Sequence, residues 1–265
     1  MLRPIVAGFK FFLFAALIVV VVPPQILIML FTKGPISRIL PMLWMRWVCM
    51  VFGIRVCKQG TPYRDGQVIS MCNHLSYLDI PVVGSVIPDS FVSKSDVAKW
   101  KLFGFLAGLR QTAYVIRGSV DPIVASQGVE KRLAEGDNLI IYPEGTSTDG
   151  QEVLEFKRGV FARAIDAQIE NLKIQPVTLS VTNVDGHPNE TQDDRDLYAW
   201  HNGMDDDFEL QHHLWKFAQS KGADIKLIFH EPIAVKDYND RKILAKDTHK
   251  AVSMGLQNSI QKIAA

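Results

Sequence analysis

The chain has 265 residues, 48 % of them hydrophobic, and a formal net charge of +1, enough for one large domain or one domain with an appendage. Residues 1–60 hold seven Lys or Arg and no Asp or Glu, which leaves 22 of the 29 basic residues beside all 28 acidic ones in the remainder. A basic apolar head on a mildly acidic body excludes a nucleic-acid surface, because the cations are not gathered on the body.

Between Lys10 and Lys33 lie 22 uncharged residues, FFLFAALIVVVVPPQILIMLFT. At about 1.5 Å per residue they are long enough to cross a hydrocarbon core of about 30 Å. A cleaved signal peptide is the other reading, but no small-x-small site follows the run. Pro23-Pro24 removes backbone donors, so both a kinked span and a re-entrant hairpin fit. Residues 35–58 carry Arg38, Arg46 and Arg55 among Leu, Met, Trp and Val. They predict a helix in the membrane interface with its cations toward anionic lipid, or an amphipathic helix packed on the body. More basic residues follow the apolar run than precede it, which favours a cytosolic body, at the inner membrane if the source is bacterial. Cys49, Cys57 and Cys72 show no CxxC spacing and read as buried thiols in a reducing compartment. The resulting division is a membrane anchor with interfacial helices over 1–60 and a body over 61–265.

In the body, β-branched runs alternate with longer helical patterns. Strands are predicted at 67–72, 90–94, 113–117, 138–143, 174–181 and 225–233. Helices are predicted near Leu78–Val86, Ala98–Leu109, Pro122–Glu135, Arg158–Gln168, Asp207–Ser220 and Ala245–Ile263. The alternation predicts an α/β fold, a mostly parallel central sheet flanked by helices, behind an N-terminal membrane-associated helical segment. The polar stretch 183–207 reads as a long loop. Ligands in such folds sit beyond the carboxyl ends of strands.

Three clusters fall at those ends. In NHLSYLD, residues 73–79, Ser76 and Asp79 have capping-box spacing, with Ser76 the cap and Asp79 at the third helical position. His74 then lies on the turn outside the helix, within reach of a carboxylate that would fix its tautomer and make it a general base. The same residues also suit a plain helix cap beside an ordinary loop histidine. In YVIRGS, residues 114–119, Arg117 ends an apolar strand, where its fork suits phosphate or carboxylate, or a surface ion pair. In IIYPEGTSTDG, residues 140–150, a strand runs into a turn whose amides and hydroxyls suit oxygen atoms. Lys157 and Arg158 follow at the start of a predicted helix, where cations oppose the dipole unless an anion binds between them; an exposed pair is the alternative. Asp205, Asp206 and Asp207 with His201, His212 and His213 imitate a metal site, but read as a solvated loop, and no metal is expected.

Taken together, the clusters resemble the membrane-associated glycerolipid acyltransferases, which include the 1-acylglycerol-3-phosphate acyltransferases. Asn73, His74, Ser76 and Asp79 match an NHxSxxD (HX4D) block. Tyr114 and Arg117 match an aromatic-x-x-Arg block. Pro143, Glu144, Gly145 and Thr146 match PEGT, with Phe156, Lys157 and Gly159 downstream, and Pro176 matches a proline in an apolar strand. The resemblance covers about residues 60–182, with the blocks in order.

The resemblance implies transfer of a fatty acyl group from acyl-CoA or acyl carrier protein, as co-substrate, to the hydroxyl of a lysolipid, with no further cofactor. His74 would take the hydroxyl proton and Asp79 would orient it. Asn73, Ser76, Tyr114, Arg117, Glu144, Gly145, Thr146, Ser147, Lys157 and Arg158 would line the acceptor, and amides near Ser76 would hold the oxyanion. Ser147 departs from the EGTRS spelling of lysophosphatidate enzymes, and with YAWHNGMD (198–205) and HLWKF (213–217) it resembles the branch that finishes ornithine lipids. Lysophosphatidate is the first reading of the acceptor, in phospholipid biosynthesis, and lyso-ornithine lipid the alternative. A silent membrane-docked lipid-binding protein is the rival from another class. A lipid hydrolase is disfavoured, since no GxSxG elbow is present.

Overall fold

In the computed structural model of the protein, residues 2–115, 122–201 and 209–263 are described. Arg117 and Asp205–Asp207 therefore lie outside the described residues. The elements in chain order are α1 (Leu2–Phe31), α2 (Ile39–Phe52), β1 (Ile54–Gln59), β2 (Val68–Cys72), α3 (Asp79–Gly84), β3 (Ser90–Lys94), α4 (Lys101–Leu109), β4 (Ala113–Val115) and α5 (Pro122–Ala134). They continue with β5 (Leu139–Ile141), α6 (Gly159–Asp166), β6 (Lys173–Val184), β7 (His187–Pro188), α7 (Gln192–Tyr198), α8 (Leu210–Ala218), β8 (Ala223–Phe229), β9 (Ile233–Ala234) and α9 (Arg241–Ile263).

The main path of the sheet is β1-β8-β6-β2-β5-β3-β4. The five strands from β6 to β4 are parallel, while β8 runs antiparallel to β6 and carries β1 parallel to itself. A mostly parallel sheet needs cover on both faces, and the sequence supplies it. Val177, Leu179 and Val181 of β6 meet Phe52, Val82, Tyr198 and Phe217 on one face. Ile69, Met71 and Ile174 meet Leu133, Phe161, Leu244 and Val252 on the other. β2 sits inside both layers, every residue buried.

The predicted interfacial segment 35–58 divides differently. Its helix ends at Gly53, whose φ of 77° is the left-handed C-cap that favours glycine, and where a Cβ would meet the Lys221 carbonyl at 2.2 Å. Beyond it IRVCKQ pairs with β8 from Ile54 to Gln59, so the sheet begins six residues before the expected boundary at 60. Arg55 therefore sits on a strand, paired with Asp224. Arg38 does not face lipid either. It is fully buried where α1 turns into α2, its fork on both Asp137 oxygens at 2.7 and 3.1 Å and its Nε–H on the Pro88 carbonyl at 3.0 Å. Arg46 is exposed but donates to the Ser85 carbonyl.

Of the two shapes expected for the apolar run, a kinked span and a hairpin, the hairpin is not adopted: α1 is one helix through Pro23 and Pro24. Polar side chains hold it along its length. Lys10 donates to the carbonyls of Ser220 (2.8 Å) and Phe52 (3.4 Å), and Gln25 to those of Ser37 (2.8 Å) and Leu109 (3.1 Å). Phe9, Phe12, Val19, Leu27 and Leu30 remain exposed. The stretch 183–207, expected as loop, contains α7, started by a capping box in which Thr191 and Asp194 exchange side-chain-to-backbone bonds. The run 225–233 is two strands, broken after Phe229.

Candidate active site

The site is built at the carboxyl end of β2. Cys72 is its last paired residue, opposite Val177. Asn73 extends the ladder with its side chain: Oδ1 accepts the Leu179 N–H (2.7 Å) and Nδ2 donates to the Leu179 carbonyl (2.9 Å). Both polar ends of this buried amide are occupied, so Asn73 anchors the turn.

The turn then presents His74, with 23 % of its side chain exposed, to Asp79, which has none. His74 Nδ1 lies 2.7 Å from Asp79 Oδ2. The same oxygen accepts the N–H groups of Leu75 (2.7 Å) and Ser76 (2.9 Å), and Oδ1 accepts the Tyr198 hydroxyl at 3.0 Å. With Nδ1 donating to the carboxylate, Nε2 carries the imidazole lone pair. The Tyr142 ring stacks on the imidazole, centroids 4.2 Å apart.

The predicted capping box forms by half. Asp79 reaches back to the Ser76 N–H, but the helix begins at Asp79 itself and the Ser76 hydroxyl accepts the Leu78 N–H at 3.3 Å. Ser76 is fully buried and shapes the turn. The Leu75, Ser76 and Leu78 amides, expected at the oxyanion, all point to these side-chain oxygens.

Glu144 faces inward too. Its carboxyl accepts the His74 N–H (2.7 Å) and the Leu154 N–H (2.8 Å), bracing the catalytic turn against the loop that leads to α6. Burial pushes its pKa up to about 7, against those two bonds, which favour the anion. Gly145 has a φ of 71°, and the turn it opens returns Thr148 N–H to the His74 carbonyl at 2.9 Å. Thr146 lies between them in that turn. Ser147 donates its hydroxyl to the Trp200 carbonyl, so it ties the turn to the segment after α7 and does not stand in for a cation. Arg158 pairs with Glu155 at 2.6 Å on the surface. Lys157 is exposed, its N–H on the Pro143 carbonyl.

Tyr114 is half-buried in β4, parallel to β2 and three strand positions from it, about 14 Å at the usual strand spacing. Arg117, two residues beyond the end of β4, belongs to the undescribed segment.

Residues to which sequence reasoning assigned no role in catalysis complete the site. Tyr198 carries the fourth bond to Asp79. Trp200 N–H binds the Leu75 carbonyl at 2.9 Å. His213, inside the helix expected over 207–220, is buried in α8, accepting the Tyr77 hydroxyl at Nδ1 (2.7 Å) and donating from Nε2 to the Asp196 carbonyl (3.2 Å). Burial pulls its pKa down to about 4 and keeps it neutral. No group of three metal-ligating side chains occurs among the described residues.

The Acyltransferase family model matches residues 53–180. A lyso-ornithine lipid O-acyltransferase of Brucella abortus is 32 % identical over 233 residues, covering 86 % of this chain and 85 % of that protein. The chain belongs to the acyltransferase family. A 1-acyl-sn-glycerol-3-phosphate acyltransferase of Neisseria gonorrhoeae is 28 % identical over 180 residues, 67 % of this chain and 64 % of that one. The crystal structure of PlsC, the 1-acyl-sn-glycerophosphate acyltransferase of Thermotoga maritima, superposes with a TM-score of 0.69 over 97 % of this chain and 96 % of that one, at 17 % identity. The acyltransferase fold is therefore shared even where the sequence is not. The family match opens where α2 ends and closes inside β6, so α1, α2, α7 and α8 of this acyltransferase lie outside it.

Proposed function

We propose that this acyltransferase moves a fatty acyl group from a thioester, acyl-CoA or acyl carrier protein, to the hydroxyl of a lysolipid, with His74 as general base. The observation that carries the reading is a histidine at the carboxyl edge of the sheet, bonded through Nδ1 to a carboxylate that four donors hold. Nε2 takes the acceptor's hydroxyl proton while its oxygen attacks the thioester carbonyl. The tetrahedral intermediate collapses, the C–S bond breaks, and the thiolate takes the proton back from the imidazolium. Asp79 orients the ring and balances its charge. No metal is needed, because the thioester is already activated.

For the acceptor, lyso-ornithine lipid comes first and lysophosphatidate second. The order rests on the longer and closer match to the Brucella protein and on Ser147, whose hydroxyl is held by Trp200 where a phosphate-binding enzyme of this family would place a cation. The exposed apolar side of α1 supports docking on a membrane, with the body on the cytosolic face. The intact dyad speaks against a silent lipid-binding protein. A panel of the two lysolipids with one labelled acyl thioester tests the reading: we expect transfer to lyso-ornithine lipid to exceed transfer to lysophosphatidate. The reverse order overturns the acceptor assignment, and transfer to neither overturns the function.

A further inference from the structure

We propose that Tyr198 is a positioning residue for the His74–Asp79 dyad, supplied from α7, outside the segment that the family model matches. The inference rests on the acyl-transfer reading above. Asp79 has no exposed surface, and its Oδ2 already accepts three donors. Oδ1 has the Tyr198 hydroxyl, at 3.0 Å. A carboxylate turns easily about its last torsion, and the plane it adopts sets the direction of the bond to His74 Nδ1. A donor fixed on Oδ1 holds that plane.

The donor is itself fixed. Tyr198 is fully buried, with its ring edge-to-face on Phe217. The Thr191–Asp194 box starts α7, the Ala199 N–H closes it on the Arg195 carbonyl, and Trp200 is bonded on one side to Leu75 and on the other to Ser147. Residues 198–200 thus form a strap across the catalytic turn, tied to both loops that bear the family motifs. Burial, with the negative charge of Asp79, raises the phenol well above its ordinary range, so it remains a donor.

The test is Tyr198→Phe, which keeps the ring on Phe217 and removes only the hydroxyl. We expect kcat to fall by about tenfold or more, as for a lost bond to a charged group, with the KM of both substrates unchanged within about twofold. The uncovered carboxylate holds the His74 proton more tightly, so the acid limb of the kcat/KM profile moves to higher pH. The other groups facing Asp79 are Cys72, Tyr142 and Glu144, and Cys49 faces Tyr198. Replacing the hydroxyl leaves the net charge they see unchanged, so their own ionisations stay in place. In an Asp79→Asn background Tyr198→Phe should cost nothing further, because the residue acts through Asp79. An unshifted profile, or losses that add in the double variant, overturns the proposal. If Tyr198→Phe folds poorly, 3-fluorotyrosine at 198 strengthens the donor and should move the limb to lower pH; no movement overturns the proposal. A wild type that transfers to no lysolipid instead overturns the reading of the site, and this proposal with it.

Discussion

Asn73 and Glu144 occupy motif positions expected to touch the acceptor, yet both side chains hold backbone. Asn73 bonds to both backbone polar groups of Leu179 across 106 residues. Asn73→Ala leaves a buried N–H and C=O without partners, at about 1–3 kcal/mol. We expect a lower Tm with the acceptor KM unchanged, measured by thermal melting and steady-state kinetics; a raised KM at unchanged Tm would return Asn73 to the substrate. Glu144, with 2 % exposure, has its carboxyl raised from 4.5 to about 7. Between those values the folded state binds the extra proton, so this group's contribution to stability is lost as pH rises through that window, by about 3 kcal/mol at 1.36 kcal/mol per unit. The stability difference between wild type and Glu144→Gln should therefore shrink steadily from pH 5 to pH 7, and a flat difference would contradict the burial argument. The His74–Asp79 pairing was legible because it spans five residues and a strand–turn–helix pattern reads locally. The backbone-holding roles were not, because their partners are brought near only by the folded sheet.

Elements show the same division. β2, β3, β5 and β6 follow apolar or alternating runs that have few other uses, and they lie close to where the sequence places them. β1 was hidden because IRVCKQ directly continues an apolar helix, and only the left-handed turn at Gly53 separates the two. α7 was hidden because its face is polar, QDDRDLY; the Thr191–Asp194 spacing was the one signal, and it went unused. Arg38 reads like a cation among lipid-facing residues until Asp137, 99 positions away, is beside it. That pair, with 0 % and 5 % of the side chains exposed, fastens the α1–α2 corner to the body. Arg38→Ala leaves the buried Asp137 carboxylate with Arg132 alone, at 3.3 Å, a change that costs up to about 3–5 kcal/mol for buried pairs. We expect a large fall in Tm, whereas Arg55→Ala, whose guanidinium is 81 % exposed, should change Tm little. Equal effects would contradict the buried-pair account.

At the scale of the whole molecule, α1 is the element whose length and composition suit a bilayer. Among the described residues one helix is long and apolar enough to cross a membrane, with 11 % of its most apolar window buried. Its polar residues Lys10 and Gln25 grip the body, while Phe9, Phe12, Leu27 and Leu30 look outward. This arrangement favours a helix held against the body with one side in lipid. Phe9→Ser with Phe12→Ser should weaken binding to anionic vesicles by about tenfold or more, since each buried aromatic is worth about 1.5–3 kcal/mol; unchanged flotation would contradict lipid contact there. The central claim, a base at His74 oriented by Asp79, is tested most directly by acyl transfer from a labelled thioester to the accepted lysolipid, comparing wild type with His74→Ala. The account predicts a loss of about a hundredfold or more in kcat, with the fold and membrane binding intact. Activity within a few-fold of wild type would contradict it.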